Sequence, residues 1–500
     1  MNTLWLILAL LSPSLTGWFL IGAVAGTNVR AGWTGAVRLV AGTGIGWAIA
    51  AGVYFLWRVS NAEIGIAYRL VDCVVVPGAV ALVHARRQTR GTAPSPRVQG
   101  RSSWWMMSLA LVTLVVCAGA VAAAVQMAHA EPIGSWDANA IWNLKARFMY
   151  RGGDGWTRMF AKEIWFSHPD YPLMLPASAA RLWTYVGYET PDGPIGVGVG
   201  FTILTMALLF AGVGWLCGIV PACVAVMLLA GNEVFIWYGG AQVADVPLSF
   251  FVLAAIVFLT VAWQRVREGG ETPPLRVMMA AGACAGLGAF VKNEGLAICV
   301  MLVVACAAAA VIFRRWKPLA AVLVGLVIGL TLVATQKLLF TGETYLTADQ
   351  PSTAAAVEKV LDPERHRTIL TFLGRWYFGL REWYSPVEGW RLNPWPVRML
   401  NEPTFLLLLA LPLFFGVRVS SDRRPAAVTV GLLLVLVVLT YYAVLLVMPY
   451  DLAVLVQSLP RYFLHIVPTA IFSVCYVTLW ERRPDAAAST VAEATTGSPQ

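Results

Sequence analysis

Long apolar stretches alternate with short polar connections along most of the chain, at a spacing that suits helices crossing a bilayer. Such a helix needs about 20 apolar residues. Stretches of this kind lie near residues 2–24, 33–57, 63–84, 104–129, 194–216, 218–238, 244–263, 276–291, 295–313, 318–340, 403–418, 426–449 and 461–480, giving about thirteen expected spans. The eighth and ninth are separated only by Lys292-Asn293-Glu294. Two hydrophilic segments, near 130–193 and 341–402, interrupt the series. The pattern predicts an all-α polytopic membrane protein with two long loops. The first apolar run has no Lys or Arg before it, unlike a signal peptide with its basic leader, and reads as a retained span.

Composition agrees. Hydrophobic residues make up 58% of the chain and charged residues 13%, about half the roughly 25% expected of a soluble domain. A soluble fold of this size could not cover its surface with so few charges. Extended disorder is excluded outside the ends, because it needs low hydrophobicity; the Ala/Thr/Ser-rich stretch from Pro484 to Gln500 is the expected disordered tail. All eight cysteines fall in apolar runs without disulfide or zinc spacing, so they read as packing residues.

The net charge of +9 sets orientation. Arg86, Arg87, Arg90, Arg97 and Arg101 follow span three, and Arg265, Arg267 and Arg276 follow span seven. Arg314, Arg315 and Lys317 follow span nine, Arg418, Arg423 and Arg424 follow span eleven, and Arg482 and Arg483 follow span thirteen. All have one parity, which the positive-inside rule makes cytoplasmic. The two long loops then face outward. No contiguous basic stripe suggests nucleic acid.

With this topology several charges fall at the outer ends of spans, where they are expensive and informative. They are Glu233, Asp245, Lys292, Glu294, Lys337 and Arg461. Each alone has a plainer reading: a long side chain snorkelling to water, Asp245 capping a helix, Arg461 anchoring one. His465 reads as a packing or pairing residue. Asp137 opens the first loop in GSWDANAIWNLKARFMY. The apolar Ile141, Leu144 and Phe148, with Lys145, Arg147 and Arg151 between them, predict an amphipathic helix lying in the interface plane. Asp137 is either its N-cap or a site carboxylate. FSHPDYPLMLP, residues 166–176, predicts a rigid turn, with His168, Asp170 and Tyr171 available to a substrate. Tyr345, Trp376, Tyr377, Trp383, Tyr384, Trp390 and Trp395 in the second loop suit either a membrane belt or carbohydrate stacking. Arg69 and Asp72 are spaced to pair on one helix face, and Arg38 to snorkel.

The order and sidedness of these residues resemble the GT-C glycosyltransferases, among them the aminoarabinose transferases and protein O-mannosyltransferases. The shared features are an outer-loop Asp before an amphipathic helix, a His-Pro…Pro turn, an acidic residue opening a later span, a Lys at an outer turn and a late Arg-Tyr. The resemblance covers about residues 104–480, leaving residues 1–103 as additional N-terminal helices and 481–500 as a cytoplasmic tail. It implies Asp137 as the catalytic carboxylate, Asp245 as a second acidic residue, Lys292 at a lipid phosphate, and Arg461 with Tyr462 as the late pair. Two departures are Trp-Asp-Ala in place of paired acids and Asn-Glu-Gly after Lys292. The implied reaction is inverting transfer of a sugar from a polyprenyl-phosphate donor to a hydroxyl of a lipid, glycan or protein acceptor. Its place would be the periplasmic or outer face of a bacterial cytoplasmic membrane. Lys292, Arg461 and Lys337 would take up the phosphate charge and Asp137 the hydroxyl proton. A divalent cation, Mg or Mn, has Asp137 and Asp245 as candidate ligands. The alternatives are a transporter or lipid flippase, a lipid-linked oligosaccharide polymerase or ligase, and a non-catalytic scaffold.

Overall fold

A computed structural model describes residues 2–25, 33–88, 104–267, 274–340, 353–377, 404–417, 419–421, 423–448 and 461–479. Among these residues there are helices and turns and no strand. In lipid a helix satisfies its own backbone, so long apolar runs have this one inexpensive solution. The chain runs α1 (Asn2–Ala25), α2 (Trp33–Val59), α3 (Ile66–Leu70), a π-helical turn (Val71–Val75), α4 (Val76–Gln88) and α5 (Trp104–Ala130). The first long loop holds α6 (Leu144–Arg151) and α7 (Met174–Val186). Then come α8 (Asp192–Cys217), α9 (Ile219–Ala230), α10 (Glu233–Gly240), α11 (Asp245–Arg267), α12 (Leu275–Val291), α13 (Glu294–Phe313) and α14 (Trp316–Phe340). The remainder is α15 (Thr353–Leu361), α16 (Pro363–Tyr377), α17 (Thr404–Phe415), α18 (Arg424–Val447) and α19 (Val467–Thr478).

Among the described residues, nine helices are long and apolar enough to cross a membrane, or ten if α9 and α10 form one span bent by 65°. The other expected spans coincide with shorter apolar helices: α12 with 17 residues, and α17 and α19 with 12 each. The α9–α10 bend has a local cause. Gly231 ends one helix, and the Asn232 side chain accepts from the Phe235 N–H at 2.8 Å to cap the next.

One continuous apolar core joins the N-terminal helices to the rest. Its centre is α11, wholly buried along its span. The first residue of that helix, Asp245, is therefore buried among other helix ends.

α12 and α14 meet along a seam of small residues. A Cβ on Gly282 would lie 2.0 Å from the Val322 carbonyl oxygen, and one on Gly325 1.8 Å from that of Met279. Such seams let helix backbones approach in lipid. This one brings the end of α12 beside the last turn of α14, where Lys292 and Lys337 sit. Gly325→Val is expected to force the helices apart and cost about 3 kcal/mol, the upper range for overpacking. Gly431→Val on α18, where a Cβ meets open space, is the control; thermal unfolding of both checks this.

The expected Arg69–Asp72 pair is replaced. Asp72 lies in the π-helical turn and pairs with Arg181 of α7 at 2.8 Å, and the Tyr185 hydroxyl donates to it at 2.7 Å. Arg181 also donates to the Ala9 carbonyl at 3.0 Å, the acceptor that Pro13, having no N–H, leaves unused within α1. Arg69 lies over the Tyr185 ring instead, 6.0 Å from its centre. Arg38, expected to snorkel, donates to the Trp18 carbonyl at 2.7 Å and contacts His84.

Candidate functional site

Four chain segments bring charged side chains together at the start of α11. Asp245 is fully buried. Its Oδ1 accepts from Lys292 at 3.0 Å, His465 at 3.0 Å and Arg461 Nε at 3.4 Å. Its Oδ2 faces Arg461 Nη2 at 3.5 Å. Both oxygens are thus held by side chains from other elements. Asp245 accepts only, so His465 carries a proton on Nε2, and its Nδ1 is hydrogen-bonded with the Tyr441 hydroxyl at 2.8 Å. His465 is a pairing residue.

Arg461 links Asp245 to Asp137. Its Nη1 donates to Asp137 Oδ2 at 2.5 Å, and the Asp137 side chain is 25% exposed. Asp137 makes no capping bond to the helical turn after it; its carboxylate joins the cluster through Arg461. Lys292 also pairs with Glu294 Oε1 at 2.8 Å. Glu294 Oε2 is buried and meets no hydrogen-bond donor among the described residues. Tyr462 lies against Lys292 and Tyr238 against Arg461, with ring centres 5.9 Å and 5.8 Å from the cations. Tyr238 carries no sequence signal beyond its aromatic character.

A second group adjoins the first. Asn293 donates to Asp170 Oδ2 at 2.6 Å. Lys337 donates to the Asp170 carbonyl at 2.5 Å and to Asn293 Oδ1 at 3.0 Å. Lys145 donates to the carbonyls of His168 at 2.5 Å and Tyr171 at 3.4 Å. His168 takes a left-handed backbone, φ +48°, and its ring stacks on Tyr171 with centroids 4.7 Å apart. Burial lowers the affinity of the His168 ring for a proton. Burial, opposed by Asp170 and reinforced by Lys337, pushes the Lys145 ammonium down to about 7.

Lys145 is the residue that periodicity missed. The expected apolar face of the loop helix was Ile141, Leu144 and Phe148. Ile141 is buried as expected, but Leu144 and Phe148 are only partly so, and the buried positions behind Ile141 are Trp142, Asn143, Lys145, Ala146 and Met149. The reason is the π-helical turn Ala138–Asn143, which takes one residue more per turn than an α-helix and shifts the phase of α6 behind it. The loop is tied to α11 by Asn143, which donates to Gln242 Oε1 at 2.9 Å, and by Gln242, which donates to the Pro132 carbonyl at 3.2 Å. Gln242 has φ +60°, a backbone that its sequence does not announce.

No family model, curated protein or solved structure matches the chain. The site is therefore read from its own chemistry.

The structure brings together Asp137, Asp245, Lys292, Glu294, Arg461 and Tyr462, and beside them His168, Asp170, Tyr171 and Lys337. Glu233 does not join them; it is exposed at the start of α10. Tyr345, Trp383, Tyr384, Trp390 and Trp395 lie outside the described residues, as do the side chains of Trp376 and Tyr377. The cluster does not suit a divalent cation on Asp137 and Asp245. Arg461 bonds both carboxylates, and a shared ion would have to expel it. No group of three or more His, Cys, Asp or Glu residues is placed to hold a metal among the described residues.

Removing Asp245 leaves the buried Lys292 and the part-buried Arg461 without their common partner. Asp245→Ala is expected to cost at least about 3 kcal/mol, as breaking a buried pair does, while Asp137→Ala costs under about 1 kcal/mol, in the range of exposed pairs. Unfolding of the two purified variants provides the comparison.

Proposed function

We propose that this chain is an integral membrane glycosyltransferase that moves a sugar from a polyprenyl-phosphate donor to an acceptor hydroxyl, with inversion. The observation that carries the reading is Arg461 bridging a partly exposed carboxylate, Asp137, and a buried one, Asp245, that is shared with Lys292. That arrangement offers a proton acceptor and cations within one cluster. The acceptor oxygen would form a bond to the anomeric carbon as the bond from that carbon to the phosphate oxygen breaks. The proton of the hydroxyl goes to Asp137, whose Oδ2 is held by Arg461, leaving Oδ1 to meet the substrate. The bonding electrons leave with the polyprenyl phosphate, and Arg461 and Lys292 take up the charge that grows there. Asp245 keeps the two cations aimed. The unpartnered Glu294 Oε2 supports a further role: a sugar hydroxyl would supply the donor that this buried oxygen lacks. No step needs a metal ion.

In this reading the cluster faces the periplasm or the cell exterior, as the arginine distribution requires, in a bacterial cytoplasmic membrane. The lipid tail of the donor accounts for an enzyme built almost wholly within the bilayer. The acceptor is a lipid, glycan or protein hydroxyl.

One feature favours a transporter instead: the helix bent by 65° between α9 and α10, since broken helices line transport sites. Reconstitution separates the two. Liposomes holding the protein and a panel of prenyl-phosphate-linked hexoses and pentoses should release prenyl phosphate in step with a glycosylated acceptor from an added envelope lipid fraction. Movement of intact sugar-lipid across the bilayer without release of prenyl phosphate would establish the transporter reading.

A further inference from the structure

We infer that Lys145 and Lys337 are positioning residues that grip the His168–Tyr171 turn by its carbonyl oxygens, so that His168 and Tyr171 form a wall contacting the donor sugar. The inference rests on the glycosyltransferase reading and extends it to the groups that hold the sugar.

The turn carries two unfavourable features that touch each other. His168 has a left-handed backbone, which costs a residue with a Cβ about 1–2 kcal/mol. Lys145 is wholly buried and makes its bonds to carbonyls, not to a carboxylate. A well-packed apolar residue in its place would usually be as stable or more so. Yet the Lys145 ammonium donates to the His168 carbonyl, the very residue that is strained, and to that of Tyr171. Lys337 takes the Asp170 carbonyl, and Gln336 donates to Tyr171 at 2.9 Å. The carbonyls of His168, Asp170 and Tyr171 are thereby all held from α6 and α14. The rings of His168 and Tyr171 stack on each other, and Trp142 packs on Tyr171 with centroids 5.5 Å apart. Asn293, which lies between Lys292 and Glu294, donates to Asp170 of the same turn at 2.6 Å, so the stack stands beside the proposed reacting groups. Strain of this kind persists where the surroundings over-determine it and concentrates at functional sites. A planar stack at such a place suits the face of a sugar ring.

Two readouts test this on the full-length protein, one of them independent of activity. Hydrogen exchange should show the amides of His168 and Tyr171 about tenfold less protected in Lys145→Met, as loss of a charge-assisted bond implies, with α11 unchanged. In the transfer assay with prenyl-phosphate-linked sugars, KM for the donor should rise about tenfold while kcat stays within about threefold, since uniform binding is lost. A purely structural role would lower kcat through the active fraction and leave KM alone. Lys337→Met should act in the same direction, and it carries the test if Lys145→Met does not fold. Unchanged protection of the turn, or unchanged donor KM in a folded variant that still transfers sugar, overturns the inference. If the wild-type protein transfers no sugar, the functional reading and the sugar wall fail together, while exchange alone still reports whether the lysines hold the turn.

Discussion

Asp137→Asn is expected to abolish sugar transfer while leaving the fold in place. Asparagine keeps the shape of the side chain, and its amide oxygen still accepts the Arg461 bond that now ends on Oδ2. The capacity to take a proton is lost. General-base catalysis contributes about 10²–10⁴-fold, and a hydroxyl nucleophile without a base has little else in this cluster to turn to, because Asp245 is buried and fully occupied by three partners. Stability should change by less than about 1 kcal/mol, because the pair is part-exposed. Single-turnover release of prenyl phosphate and a melting curve on the same preparation provide the test. Wild-type turnover in the variant would remove Asp137 from the mechanism and leave the cluster a structural one. Arg461→Gln differs in kind: it should lose both stability and turnover, because the guanidinium serves Asp245 as well as Asp137.

The cluster was legible in the sequence for a physical reason. Charge is so expensive at membrane depth that few such residues survive there, and those that do must find each other. Asp245, Lys292 and Arg461 lie far apart in the chain but at equivalent helix ends, and they converge as that argument requires. Lys145 was not legible, because a single π-helical turn at 138–143 rotates the helix after it. A strict period of 3.6 assigns Lys145 to the polar face, whereas the structure turns it inward. Asp72 failed for a different reason. Its neighbour Arg69 offered a local partner at helical spacing, whereas Arg181 lies 109 positions away and serves a second acceptor created by Pro13. Local spacing proposes pairs; a carbonyl orphaned on another helix decides between them. The number of expected spans reflects the same limit. Apolar length alone does not distinguish a straight span from the capped break at Asn232, or from short helices such as α12 and α19 that end beside the site.

The stability of the protein is expected to rise with pH between about 7 and 10.5 through Lys145, which lies on a loop helix outside the apolar spans. Burial holds this ammonium at about 7 in the folded protein, against an ordinary 10.5. Below pH 7 both the folded and the unfolded chain carry the proton, and this group adds no pH dependence. Between those values the unfolded chain binds a proton that the folded chain has released, so the unfolding free energy increases with pH. Above 10.5 neither binds it, and the contribution levels off. At about 1.4 kcal/mol per pKa step the whole rise is roughly 5 kcal/mol. Lys145→Met should remove that slope. At pH 6 it should also gain stability, though by less than the full amount, because the carbonyls of His168 and Tyr171 lose their donor at about 1–3 kcal/mol for a buried group left unsatisfied. Melting temperatures of the two proteins from pH 6 to 10.5 decide the matter. Parallel curves would mean that the Lys145 amine is hydrated or paired in the folded state, and that burial does not govern its charge. The direction comes from the fold: a cation placed where the phase of a helix has slipped by one residue makes its hydrogen bonds to carbonyls and not to a carboxylate, so raising the pH relieves a cost that a directly paired carboxylate would have offset.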